Sequence, residues 1–263
     1  MEKTYIEDIG NMQLLKFTKM EEFKEKVELV ITLKTYNKGF KRDKNGKIIS
    51  EKYECLAKYL NVDNENIIKP IQNHTDNILC VKEKKNSKLL NVDGTITNKR
   101  KIGLASTFAD CIPIFFYDPI KNVIANIHSG WLGTVKEISL KALSIMLKEF
   151  ECKVNNIIVL IGPCIRKDHF LVNEDVKIIF EEKFSEICNK CDIIRKTEKY
   201  NEKGVQYVID TVEINKEILK NHKILEKNII DSNICTVCQS KYFHSRRAEG
   251  IEYDLNTGII MLK

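Results

Sequence analysis

The stretch from Lys101 to Phe150 constrains the fold more than any other part of the chain. It carries the apolar runs Ile102–Ala105 and Cys111–Tyr117, and then Asn122–Ile127, a buried-strand pattern that ends at His128. Gly130 and Gly133 frame Trp131 in a turn immediately afterwards. Thr134-Val135-Lys136-Glu137 reads as a capping box, and Val135, Ile138, Ala142 and Ile145/Met146 recur at helical spacing. The pattern predicts strands that feed a glycine turn and then a helix running to about Phe150.

The same reading places the other elements. Val27–Leu33, Asn156–Ile161, Ile229–Ile234 and Gly258–Leu262 are predicted strands, and Tyr53–Leu60, Asp175–Phe184 and Val212–His222 predicted helices. Tyr36–Ser50 is polar, contains Gly39 and Gly46, and reads as a loop or hairpin. Strands and helices do not alternate regularly, and neither Gly-x-Gly-x-x-Gly nor a phosphate-loop signature occurs, so a nucleotide-binding Rossmann fold has little support. The expectation is one mixed α/β (α+β) domain over residues 1–263, with central sheets flanked by helices.

Hydrophobic residues make up 43% of the 263 and charged residues 30%, the balance of a globular chain. The net charge of +6 comes from dispersed lysines. Nucleic-acid binders more often gather charge into a patch with aromatics beside it, so no nucleic-acid partner is expected. The densest run, Lys82–Lys88, is interrupted by Glu83, Asn86 and Ser87 and reads as a solvated loop. No apolar run approaches the roughly 18 residues of a membrane helix, and the polar N-terminus lacks the apolar core of a secretory signal. With nine cysteines in a chain too long for a disulfide scaffold, a reducing cytoplasm is the expected location.

Three segments put a potential metal ligand near a strand end beside small or turn-forming residues: Pro70–Asp76 with His74, Thr107–Pro113 with Cys111, and His128–Thr134 with His128. A lone His or an apolar-strand Cys is more often structural than a ligand, and a Gly-Trp-Leu-Gly turn can be a plain strand-to-helix connection.

Taken in order, Gln-x-His, Thr-x-Ala-Asp-Cys-x-Pro, His-x-Gly-Trp-x-Gly-Thr, Gly-Pro-Cys-Ile and Phe-His-Ser-x-Arg-Ala-Glu-Gly resemble the YfiH/YlmD group. That group is also called the laccase-domain or polyphenol-oxidase-like family and is described as purine nucleoside phosphorylases. The resemblance runs from about Gln72 onward. It implies a YfiH-like layered sandwich and a zinc ion on His74, Cys111 and His128, with one position open. It also implies phosphorolysis of adenosine, inosine or methylthioadenosine to free base and sugar 1-phosphate, with adenosine deamination beside it. Three N/S ligands plus water is the catalytic zinc pattern. Copper is the alternative metal.

Under this resemblance Asp110, Cys111 and His128 are the candidate catalytic residues. Asp110 is read two ways, orienting a ligand or touching substrate, unless strand alternation turns it to the other face. Gln72, Ser129, Gly130, Trp131, Cys164, Arg246 and Arg247 are the candidate substrate contacts, with Arg247 aligned to the family's arginine and suited to phosphate. The partners implied are purine nucleosides and phosphate, with no membrane contact and a monomer or homodimer. Ser129 and Leu132 depart from the family's Ala and Arg in His-Ala-Gly-Trp-Arg-Gly. Thr35–Phe40 is the degraded counterpart of an Arg-x-Gly-Gly-Val-Ser signature. The Leu132 departure bears on anion binding more than on metal binding.

Two Cys-x-x-Cys pairs, Cys188/Cys191 and Cys235/Cys238, invite a four-thiolate zinc site, although their separation exceeds the about 15–20 residues of compact ribbons. Coincidence in a reducing compartment is the simpler reading. His169, His222 and His244 read as structural or surface residues. Two further functions stand beside the enzyme: a non-catalytic metal-binding or regulatory protein, and a copper-dependent phenol oxidase. The second fits poorly, because four coppers need many more histidines than the five present.

Overall fold

The computed structural model describes residues 2–10, 12–34, 39–83, 89–190 and 192–263. Most of Thr35–Phe40, much of the Lys82–Lys88 run and Cys191 lie outside these residues.

Among the described residues two six-stranded sheets form the centre. In one, the order is Thr4–Ile9, Met12–Phe17, Val27–Thr32, Asn256–Leu262, Gly103–Phe108 and Ile67–Ile68. In the other it is Ile229–Asp231, Ile158–Ile161, Ile112–Asp118, Val123–Ser129, Gly94–Thr97 and Ile78–Cys80. Both sheets mix parallel and antiparallel pairs.

The apolar runs show why the sheets stack. Every residue of Ile112–Asp118 is buried, so the strand is covered on both sides. Phe115 and Tyr117 pack with Leu29, Ile31, Leu104 and Ile260 of the first sheet. Their alternates Ile112, Ile114 and Phe116 pack instead with Ala142, Leu143, Met146, Val212 and Leu219 from the helices Ile138–Glu149 and Thr211–Asn221. Gly258 makes the close contact between sheets possible, since a Cβ there would lie 2.6 Å from Phe115 Cζ. The outer face of the first sheet is closed by the short helix Glu54–Tyr59 through Leu56 and Ala57.

A three-stranded sheet of Leu171–Val172, Gly204–Ile209 and Ile194–Asn201 stands apart with the helices Glu174–Lys183 and Ser185–Lys190. Phe180, Phe184, Ile209, Ile214 and Ile218 make its core, and Trp131 packs against it. Its hairpin escapes sequence reading because Ile194–Asn201 is mostly exposed and polar.

The capping-box reading of Thr134–Glu137 is corrected. Helix begins earlier, at Trp131–Val135, and Glu137 then breaks it in a left-handed conformation (φ 54°) before Ile138–Glu149 resumes. The Thr134 hydroxyl does not cap. It meets Ser129 Oγ at 3.0 Å and accepts from Asn215 Nδ2 at 3.0 Å, which ties the strand end to the Thr211–Asn221 helix.

Candidate metal centre

His74, Cys111 and His128 come together, their ligand atoms all within 4.8 Å of one another. The topology explains the meeting. The chain passes from the first sheet to the second between Phe108 and Ile112, which leaves Cys111 at the crossing. Ile112 pairs with Ser129 and Pro113 with His128, so Cys111 lies beside the end of His128's strand. The crossing needs Asp110 at φ 85°, uncommon for a non-glycine residue and of the kind that surrounding structure must hold in place. His74 arrives from a loop and also adopts positive φ, at 57°.

Asp93 organises the two histidine approaches. Its buried carboxylate accepts from the backbone N–H of Asn73 (3.2 Å), His74 (3.0 Å) and Thr75 (2.8 Å) and from the Thr75 hydroxyl (2.7 Å). It also meets His128 Nδ1 at 2.9 Å, so Nε2 is the nitrogen left to face Cys111. Burial alone would raise the Asp93 carboxyl, but the hydrogen bonds from His128 and Thr75 outweigh it and bring it to about 2. Burial alone would likewise push the Cys111 thiol up; the His128 and His74 imidazoles outweigh it and draw it below the ordinary thiol range. Burial would lower His128, and Cys111 and Asp93 outweigh that and raise it.

The donor set fits zinc. Bonds of about 2.3 Å to sulfur and about 2.0–2.1 Å to nitrogen, at tetrahedral angles, put S and N about 3.5 Å apart, and Cys111 Sγ lies 3.7 Å from His74 Nε2. A carboxylate behind a ligating imidazole is the usual support for such a ligand. Gly130 is needed for the close approach: a Cβ there would stand 2.6 Å from His74 Cδ2 and 3.3 Å from Cys111 Sγ. Gly130→Ala is expected to displace the His74 ring and weaken zinc binding on the order of tenfold, because ligands tolerate about 0.5 Å of misplacement. Competitive zinc titration checks this, and the melting temperature should barely move.

The cluster opens into a cavity of about 730 Å³, within the size range of small-molecule sites. Asp110, Ser129, Gly130, Trp131, Arg246 and Arg247 all border it, and so does Leu132. The structure puts several of these to definite uses. Asp110 accepts from the Thr236 hydroxyl (2.6 Å) and from Arg247 N–H (2.7 Å), so its carboxylate pins two chain segments. Arg247 donates through its guanidinium to His169 O (2.6 Å) and Leu171 O (3.3 Å). Arg246 lies 6.0 Å from the Tyr253 ring centre.

Two readings are corrected. Gln72 does not point a free amide at the cavity: it donates to Thr107 O (2.8 Å) and accepts from Thr107 N–H (2.8 Å), bracing the His74 loop on the first sheet. Cys164 is fully buried in the apolar cluster between the second sheet and its helices, not in the cavity wall, and burial pushes its thiol up to about 12. The Ser129 hydroxyl is shared with Thr134.

Sequence reading missed Asp93 because Asp93-Gly94 looks like ordinary turn chemistry. It also missed the wall formed by Ile165, Phe170 and Asn173, which carries no ionisable signature.

Fold and site together define a layered α/β protein with a two-histidine, one-cysteine pocket at the junction of its sheets. The chain belongs to the family described as "Multi-copper polyphenol oxidoreductase laccase", whose model matches residues 29–263. It is 28% identical over 216 residues to purine nucleoside phosphorylase YlmD of Bacillus subtilis, covering 79% of this chain and 74% of that protein. It is 29% identical over 175 residues to mouse purine nucleoside phosphorylase LACC1, covering 65% of this chain but only 38% of LACC1. Adenosine deaminase RL5, from an unknown prokaryote, is 28% identical over 204 residues, or 74% of this chain and 75% of RL5. The crystal structure of YfiH from Bacillus licheniformis superimposes with a TM-score of 0.83 at 22% identity, covering 98% of this chain and 99% of YfiH, a match of fold. Among the described residues no helix is long and apolar enough to cross a membrane.

Proposed function

We propose that this chain is a zinc-dependent purine nucleoside phosphorylase that works in the cavity at His74, Cys111 and His128. One observation carries the reading: a cysteine thiol and two imidazoles converge at a cavity also bordered by Trp131, Arg246 and Arg247. Relatives that share the family are named for purine nucleoside phosphorolysis.

In phosphorolysis a phosphate oxygen bonds to the sugar C1′ while the C1′–N9 bond breaks, and the purine leaves with the electron pair and takes up a proton. Phosphate needs cations. Arg246 and Arg247 provide them in this cavity, where Leu132 stands in the position of the family's arginine. With Arg247 held by the His169 and Leu171 carbonyls, its guanidinium is oriented in advance. Trp131 gives the base or sugar a flat apolar surface. Asp110 positions Arg247 through its backbone N–H. His74, Cys111 and His128 would hold a zinc ion at this end of the cavity, where it would supply Lewis acidity.

Adenosine deamination is the second reading, favoured by the similarity to RL5. The test is turnover of adenosine, inosine and methylthioadenosine by zinc-loaded protein, with and without phosphate, beside Cys111→Ala. Phosphate-dependent release of free base that vanishes in Cys111→Ala is the expected result. Inosine formed from adenosine without phosphate would favour the deaminase. Zinc uptake with no turnover of any of the three would leave a binding role and defeat both.

A further inference from the structure

A second group of ligand-type side chains lies outside the cavity. Cys235-Thr236-Val237-Cys238 turns back on itself, with Gln239 N–H donating to Cys235 O at 2.9 Å, and faces His169. Cys235 Sγ is 3.6 Å and Cys238 Sγ 3.8 Å from His169 Nδ1, while Nε2 is farther from Cys238, at 4.0 Å. All three ligand atoms lie within 4.8 Å of one another. A tetrahedral zinc ion with the bond lengths given above asks for about 3.5 Å between sulfur and nitrogen. The group already has that spacing, with Nδ1 as the nitrogen.

The scaffold holds the two ligand segments together without help from an ion. Arg166, just before the Lys167–His169 turn, donates to Asp231 through Nη1 (2.8 Å) and Nη2 (2.6 Å) and to Ile234 O through Nε (3.2 Å). Ile234 precedes Cys235. Backbone bonds Cys164 N–H to Ile234 O (3.2 Å) and Thr236 N–H to Cys164 O (3.0 Å) fix the other side. Pre-positioned ligands on ordered backbone are what separates a metal site from a chance meeting of thiols. Cys235 is buried and Cys238 exposed, so the group is reachable from solvent on one side.

Of the four thiols in the two Cys-x-x-Cys motifs, Cys191 lies outside the described residues, and among the described residues Cys188 does not join Cys235 and Cys238. Cys188 packs with Phe180, Phe184 and Ile187 in the core of the small sheet, and the partner of Cys235 and Cys238 is His169.

We propose that His169, Cys235 and Cys238 hold a second zinc ion, with water at the fourth position, separate from the His74–Cys111–His128 centre. Its place gives it a job in the architecture. His169 O receives the Arg247 guanidinium, and Thr236, between the two cysteines, bonds the Asp110 carboxylate. The ion would fasten the segment entering the cavity wall at Phe170 to the turn that holds Asp110. This inference does not depend on phosphorolysis.

The test is a metal count. Full-length protein is purified under reducing conditions, saturated with zinc, desalted and analysed by mass spectrometry of the metal. Wild type is expected to hold two zinc ions per chain, Cys238→Ser one, Cys111→Ser one and the double variant none. His169→Gln repeats the measurement at a half-exposed ligand in case Cys238→Ser fails to fold, as judged by circular dichroism. Cobalt substitution separates the centres, because Cys238→Ser must keep a one-thiolate spectrum and Cys111→Ser a two-thiolate one. A single zinc in wild type that tracks Cys111 alone overturns the proposal. So does a second zinc indifferent to both His169→Gln and Cys238→Ser, or a Cys235–Cys238 disulfide that persists under reduction. A count unchanged by Cys111→Ser would instead count against the cavity centre.

Discussion

Asp93→Asn is expected to lower zinc affinity at the cavity centre 10–100-fold while leaving the chain folded, the range seen when the partner of a ligating histidine is removed. The carboxylate does two things that an amide cannot do together. It accepts from His128 Nδ1, which fixes the ring with Nε2 toward Cys111, and it accepts three backbone N–H groups from the loop that carries His74. Asparagine keeps one acceptor oxygen and turns a donor toward groups that are themselves donors. Because the Asp93 carboxyl lies at about 2 in the fold, below its ordinary value, the stability it contributes is present above about pH 4. That stability is lost as pH falls through about 2 and is worth on the order of 2 kcal/mol. Competitive titration against a chromophoric chelator at neutral pH measures the affinity. Asp76→Asn, which alters a carboxylate paired with Lys141 on the surface, is the control. Equal affinity in Asp93→Asn and wild type would remove Asp93 from the centre.

The largest loss of stability is expected from Asp231→Ala. The Arg166–Asp231 pair is mostly buried and bidentate. Burial would raise the Asp231 carboxyl, but the Arg166 guanidinium outweighs it and holds it below the usual carboxylate range. Removing the acid leaves a mostly buried guanidinium with only the Ile234 carbonyl and a long contact to the Ser232 hydroxyl as hydrogen-bond partners. Breaking such pairs costs about 3–5 kcal/mol, and for a chain of this size each kcal/mol moves the melting temperature by about 2–4 °C. A fall of about 10 °C by calorimetry is the expected result. The double variant Arg166→Met/Asp231→Leu should recover most of it, because an apolar pair needs no charge compensation. A single variant that melts within about 2 °C of wild type would show that solvent reaches the pair.

Uninterrupted apolar runs made the second sheet legible, since Ile112–Asp118 and Val123–Ser129 are buried on both faces and leave little polar interruption. The approximate helices at 174–183 and 211–221 follow from the same kind of pattern. The N-terminal hairpin and the small sheet were not legible, because Thr4–Ile9 is partly and Ile194–Asn201 mostly exposed, and both carry polar and charged residues that break the apolar pattern. The motifs single out His74, Cys111 and His128, and the fold brings the three side chains together. Gln72 and Cys164 lie in motifs of the same kind, yet one braces a strand and the other fills a core, because a motif records which residues matter and not which way they point. The Trp131 helix starts earlier than Thr134 because Ser129 and Asn215, far apart in sequence, take up the threonine hydroxyl.

The position of Asn256–Leu262 has a consequence for synthesis on the ribosome. It pairs with Val27–Thr32 on one side and Gly103–Phe108 on the other, so it is the central seam of the first sheet. Both neighbours leave the exit tunnel long before it does. During that interval each presents a bare row of backbone donors and acceptors, a template for pairing with another nascent chain. His74, Cys111 and His128 have all emerged by then. Zinc captured early by His74, Cys111 and His128 would hold those parts of the chain in register while the seam is still awaited.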